Sequence, residues 1–72
     1  MGKLANLSGR EICLILARHG FTEVRRKDSH VIMQKGNGGT TTVPVPDHKE
    51  VRKGTLQAII RQSGVPRIEF ES

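Results

Sequence analysis

With 72 residues, about half the length of an ordinary domain, the chain has room for one compact unit spanning 1–72 and none for a second catalytic lobe or a large cofactor fold. Hydrophobic residues make up 35%, and Phe21 and Phe70 are the only aromatics, so the core is aliphatic and thin. Twelve Lys and Arg against seven Asp and Glu give a formal charge of +5, which points to a polyanionic partner, nucleic acid ahead of a membrane surface.

Taken in chain order, Met1 to Ser8 carries no signal-peptide core, and no apolar run approaches the roughly 20 residues of a spanning helix. A soluble, cytoplasmic protein without a membrane partner is expected. Ser8-Gly9-Arg10-Glu11 reads as a capping box, in which the Ser8 hydroxyl accepts from the Glu11 amide and the Glu11 carboxylate from the Ser8 amide. Ile12, Ile15, Leu16 and His19 follow at helical spacing and Gly20 supplies a left-handed stop, predicting a helix from about Ser8 to His19. Cys13 lies within this apolar pattern, where an inert buried thiol is expected.

From Phe21 the period changes to two: Thr22, Val24 and Arg26 alternate with Glu23, Arg25 and Lys27, predicting a half-buried strand. Asp28-Ser29 turns the chain. A second strand over His30 to Lys35 sends Val31 and Met33 to one face and His30, Ile32 and Gln34 to the other. Gly36-Asn37-Gly38-Gly39 reads as a hairpin loop leading to a third strand, Thr40 to Val45, whose Pro44 argues for a sheet edge because proline cannot donate to the ladder. After a charged loop over Asp47 to Lys53, Gly54-Thr55 opens a second helix with Leu56, Ile59 and Ile60 on one stripe and Gly64 as its stop. Pro66 begins a short last segment ending in Phe70. The order helix, three-stranded antiparallel sheet, helix defines an α+β unit with both helices on one face and the other face open.

The basic residues fall into two groups. Arg25, Arg26, Lys27 and Lys35 flank the first hairpin, while Lys49, Arg52 and Lys53 precede and enter the second helix. Amides left free at Gly54, Thr55 and Leu56 favour an anion beside Lys53 and Thr55, making phosphate contact the expectation for one or both groups. With no Trp or Tyr, contacts to the nucleic-acid backbone should outweigh stacking on aromatic rings.

The three histidines differ. His19 closes the first helix, where a cation suits the dipole. His48, in the loop before the second helix, can bind phosphate or fix the loop. His30 follows the turn and is flanked in sequence by the Arg25 to Lys27 run and Lys35; a neutral imidazole there is a candidate general base, weighed against an exposed strand histidine with no chemistry. Cys13, His19, His30 and His48 lack the paired spacing of a zinc site, the acidic residues do not cluster to hold magnesium, and the glycines at 36, 38 and 39 lack the Lys-Ser or Lys-Thr of a phosphate-binding loop. No cofactor is expected.

Taken together, Leu7-Ser8-Gly9-Arg10-Glu11, Gly20-Phe21, Arg26-Lys27-Asp28-Ser29-His30, Val45-Pro46-Asp47-His48-Lys49-Glu50-Val51, Gly54-Thr55-Leu56 and Ile59-Ile60-Arg61-Gln62-Ser63-Gly64 resemble the HicA (YcfA-like) toxin family in order and spacing, from about Leu7 to Phe70. The combination of Ser-His after the first strand with the later Pro-x-His-Lys-Glu and Gly-Thr-Leu carries the likeness. The resemblance implies a double-stranded-RNA-binding-domain-like fold and a metal-independent endoribonuclease that cuts mRNA. It also implies a HicB-type antitoxin that masks the catalytic histidine, whose place in the family falls on His30. The family usually has glycine where this chain has Asp28, which adopts a left-handed turn less freely and brings a carboxylate that repels phosphate, a departure that points to reduced or altered activity.

On this reading His30 takes the proton of a ribose 2′-hydroxyl, Lys27 and Lys35, and more distantly Lys49 and Lys53, neutralise the phosphate, and Ser29 orients the turn or, as the sharper option, donates a hydrogen bond to the phosphate. Two rivals remain: an RNA-binding module of the same fold that does not cut, and a DNA binder that uses Gln57 and Arg61 of the second helix.

Overall fold

A computed structural model describes residues 2–36 and 40–72. Helix α1 spans Gly9–Arg18, strands β1, β2 and β3 span Thr22–Lys27, His30–Gly36 and Thr40–Pro46, helix α2 spans Lys53–Ser63, and a 3-10 turn covers Arg67–Phe70. The expected order is borne out, and both hairpins are antiparallel with β2 in the middle of the sheet. Three of the four residues read as the glycine-rich loop, 37–39, lie outside the described residues; Gly36 ends β2 opposite Thr40.

Each helix begins and ends for local reasons. The capping box of α1 is formed in both directions, Ser8 N donating to Glu11 Oε1 at 2.9 Å and Glu11 N to Ser8 Oγ at 3.1 Å. Gly20 and Gly64 follow the two helices at φ 92° and 73°, the left-handed region that a side chain disfavours. Helix α2 starts one residue earlier than its sequence suggests, at Lys53, with Arg52 as a cap that makes no side-chain hydrogen bond.

Val31 and Met33 of β2 and Val43 and Val45 of β3 point to one face, where Ile12, Ile15 and Leu16 of α1, Leu56 and Ile59 of α2, and Leu4, Phe21, Val51, Val65 and Phe70 complete a single hydrophobic core. The period-two pattern thus places both helices on the same side of the sheet, against β2 and β3. Strand β1 departs from expectation. All six of its residues are exposed rather than half-buried, because α1 meets this edge strand only across an open cleft while α2 packs on β3, and the register to β2 slips between Glu23 and Arg25, leaving Val24 as an unpaired bulge residue. Pro44 sits on an edge strand, as its missing donor requires.

Two features have no precursor in the sequence pattern. The N-terminal segment is pinned to the C-terminus: Leu4 bridges Glu71, Ala5 N donates to the Phe70 carbonyl at 2.8 Å, and Ser72 N to the Lys3 carbonyl at 2.9 Å. The second is the close seat of α1 on the end of β3. A Cβ added to Gly9 would overlap the Pro46 carbonyl oxygen and come within 3.0 Å of Asp47 Cα, while Gly9 N donates to the His48 carbonyl at 2.9 Å. Among the described residues, no helix is long and apolar enough to cross a membrane.

Candidate active site and nucleic-acid interface

The Asp28-Ser29 turn is the tightest hairpin connection, two residues between the paired Lys27 and His30. Such loops need a left-handed residue to match the twist of the strands, and Asp28 supplies it at φ 55°. Asp47 N donates to the Ser29 carbonyl at 2.7 Å, so the loop after β3 is held against the turn. His30 therefore opens the central strand between Lys27 and Pro46, with backbone ordered on both sides. Its neighbours Val31 and Met33 are buried under the helices, so alternation sends His30 to the open face, and its side chain is exposed.

Cross-strand pairing decides which cations share that face. Lys27 is opposite His30 and Arg25 opposite Ile32, so Arg25 and Lys27 flank the histidine in an exposed row. Arg26, opposite the buried Val31, turns to the other side, where its Nη1 meets Asp47 Oδ2 at 2.7 Å and its Nε lies 3.6 Å from Glu23 Oε2. The hydrogen bond that Arg26 donates to Asp47, reinforced by the carboxylate's charge, raises the Arg26 pKa above the ordinary guanidinium value. Lys35 is also on the helix side; its ammonium sits 5.8 Å from the Phe21 ring centroid.

The second basic group is divided as well. His48 and Lys49 are exposed on the loop that Asp47 N anchors to Ser29 and that Gly9 N and the Leu7 carbonyl fix from below, which brings them to the same end of the sheet as His30. Lys53 is occupied, with Nζ donating to the Ala5 carbonyl at 2.9 Å and to Asn6 Oδ1 at 2.6 Å. Thr55 is exposed in the first turn of α2. Of the three amides expected to be free there, that of Leu56 is not: because the helix begins at Lys53, Leu56 N already donates to the Arg52 carbonyl at 2.9 Å.

His19 caps α1 and lies 3.4 Å from Glu69 Oε1, a structural position. Cys13 is half-buried in a cleft of about 710 Å³ between α1 and β1, with Leu14, Phe21, Val31 and Met33 around it and Arg10, Glu23, Arg26 and Asp47 at the rim. Burial first, then the Glu23 charge, pushes its thiol up, Arg26 pulling weakly the other way, so the thiol stays protonated near neutrality. Among the described residues, no three His, Cys, Asp or Glu side chains are grouped to hold a metal ion.

The structure thus gathers His30, Arg25 and Lys27 on the open face, with Ser29, His48 and Lys49 at its turn end, and leaves Arg26, Lys35, Lys53 and Thr55 in the helix layer. Asp47 is the position that residue spacing missed: it ties Arg26 to one side of the turn and Ser29 to the other, a long-range role that no local pattern signals. The chain matches the family model of the HicA toxin of bacterial toxin-antitoxin systems over residues 9–65. No curated protein sequence matches it significantly.

Proposed function

We infer the function from the family: this chain belongs to the HicA toxins of bacterial toxin-antitoxin systems, and we propose that it is a metal-independent endoribonuclease that cuts mRNA with His30 as its general base and is neutralised by a HicB-type antitoxin. The observation that carries the reading is the placement of His30, exposed on the sheet face that both helices leave open, beside Lys27 and Arg25. A catalytic imidazole must reach the ribose from solvent, and a histidine packed beneath the helices would have no access to it.

In this mechanism Nδ1 or Nε2 of neutral His30 accepts the 2′-hydroxyl proton, the oxygen attacks the adjacent phosphorus, and the bond to the 5′-oxygen breaks. The products are a 2′,3′-cyclic phosphate and a 5′-hydroxyl whose proton comes from water. Lys27 and Arg25 lie where they neutralise the phosphate as its charge develops, and His48 and Lys49 extend the cationic end toward the loop. Ser29 shapes the turn and its hydroxyl is a candidate phosphate donor. Base catalysis alone contributes about 10²- to 10⁴-fold, appropriate to a slow enzyme. An antitoxin of acidic surface is the complementary partner for a chain of net charge +5.

The test is cleavage of RNA in EDTA by the full chain and its His30→Ala form, with product ends analysed for cyclic phosphate, beside growth arrest on expression. Activity in EDTA that falls at least about 100-fold in His30→Ala is expected. Equal rates in the two proteins would refute the assignment, and RNA binding without cleavage by the parent would leave a binding module.

A further inference from the structure

We propose that Gln34 and Thr42 form a base-reading subsite on the open sheet face, where a single strand of RNA laid along β2 from His30 presents the base two to three nucleotides from the scissile phosphate. The inference rests on the reading that RNA is held at His30, and it deepens that reading by naming what selects the sequence.

The alternation that exposes His30 places Ile32 and Gln34 behind it on the same face. The β2–β3 register puts Pro44 opposite Ile32 and Thr42 opposite Gln34, and Thr22 of β1 stands across from Gln34 on the other side. The face therefore reads, from the turn end, as a histidine, then an apolar step of Ile32 and Pro44, then a polar pair, with Arg25 and Lys27 along the first part of its β1 margin. Four residue steps of strand lead from His30 to Gln34, about 13 Å at ~3.3 Å per residue. A strand of RNA drawn out of its stack, beyond the ~3.4 Å of a duplex step, spans that distance in roughly two to three nucleotides.

Gln34 is equipped to recognise a base. Its Nε2 donates to Thr42 Oγ1 at 3.2 Å, which holds the exposed amide of a half-buried residue in one orientation, and among the described residues this is its single side-chain hydrogen bond. The remaining amide N–H and the carbonyl oxygen offer one donor and one acceptor, the complement of N7 and the N6 amino group of adenine. Both residues stand on paired strands rather than on a loop, so the site is rigid before RNA arrives. Ile32 and Pro44 supply the aliphatic surface over which the intervening nucleotide lies in a chain with no Trp or Tyr. The occupant is a polyanion because the face carries Arg25 and Lys27 in a chain of net charge +5.

The experiment uses a set of unstructured RNA oligonucleotides in which each position around one cleavage site is varied through all four bases. The parent, Gln34→Leu and Thr42→Val are compared for relative cleavage, with circular dichroism melts establishing that each is folded. The same series is measured for binding in a His30→Ala background. Expected is an adenine preference at one position two to three nucleotides from the cut, reduced at least about fivefold in Gln34→Leu and partly in Thr42→Val, with preferences elsewhere retained. An unchanged base preference in folded Gln34→Leu overturns the proposal, as does loss of preference at every position together. If the parent does not cleave but binds with a preference that Gln34→Leu removes, the subsite stands and the ribonuclease reading falls. If the parent neither cleaves nor binds RNA, both fall.

Discussion

Replacing Gly9 by alanine tests the seat of α1 on the sheet, on which the whole turn end depends. The added methyl would overlap the Pro46 carbonyl oxygen and crowd Asp47 Cα at 3.0 Å, and both are backbone atoms that no rotamer change can move. The helix must retreat, which strains packing by about 1–3 kcal/mol and weakens the bond from Gly9 N to the His48 carbonyl, worth about 1 kcal/mol. Alanine's better helix propensity returns at most about 1 kcal/mol. The net loss is about 1–3 kcal/mol, against a total of about 4–11 kcal/mol for a chain of this length, or a fall of about 4–24 °C in melting temperature. Gly54, in the first turn of α2, has nothing within 4 Å of an added methyl, so Gly54→Ala should gain about 0.5–1 kcal/mol. Urea unfolding followed by circular dichroism compares the two. A Gly9→Ala midpoint within about 0.5 kcal/mol of the parent would refute the close-seat argument, and a loss in Gly54→Ala would refute the contrast.

Electrostatic roles separate in a salt series of RNA binding. Lys27→Ala should weaken binding and lower the slope of log affinity against log salt by about 0.7, whereas Lys53→Ala should keep the slope and instead cost about 0.5–1.5 kcal/mol of stability through its lost bonds to Ala5 and Asn6. Asp28→Asn keeps a residue tolerant of φ 55° and removes a carboxylate at the turn, so affinity should rise about two- to threefold at low salt and converge with the parent at high salt. The Cys13 thiol is raised in the folded chain, so its contribution to stability is complete below the ordinary thiol pKa of about 8.5 and is lost as pH climbs through the higher folded value. Urea midpoints of the parent and Cys13→Ala should therefore draw together as pH rises above about 8.5, and a constant difference would contradict this.

Much of the architecture was legible because it follows from local chemistry. The capping box at Ser8 and Glu11, the stops at Gly20 and Gly64, the two-residue turn at Asp28-Ser29 and the alternation of Val31 and Met33 against His30 and Ile32 all depend on residues within a few positions of one another. The exposed histidine on the open face followed from the same period of two. The exposure of β1 was not legible, because alternation reports the two faces of a strand and not whether a helix lies over either of them.

What the order of residues determined by itself was the α+β succession, the faces of β2 and the position of His30 at the strand's start. Only the tertiary structure decided which charges stand with it. The sequence gathers Arg26 and Lys35 with Arg25 and Lys27 into one basic group, yet the folded chain sets Arg26 against Asp47 and Lys35 over Phe21, while Arg25 and Lys27 remain beside the histidine. Lys53 is claimed by carbonyls 47 and 48 residues away in the chain. Charge is a property of a residue, but its availability to a phosphate depends on what the folded chain has already placed against it.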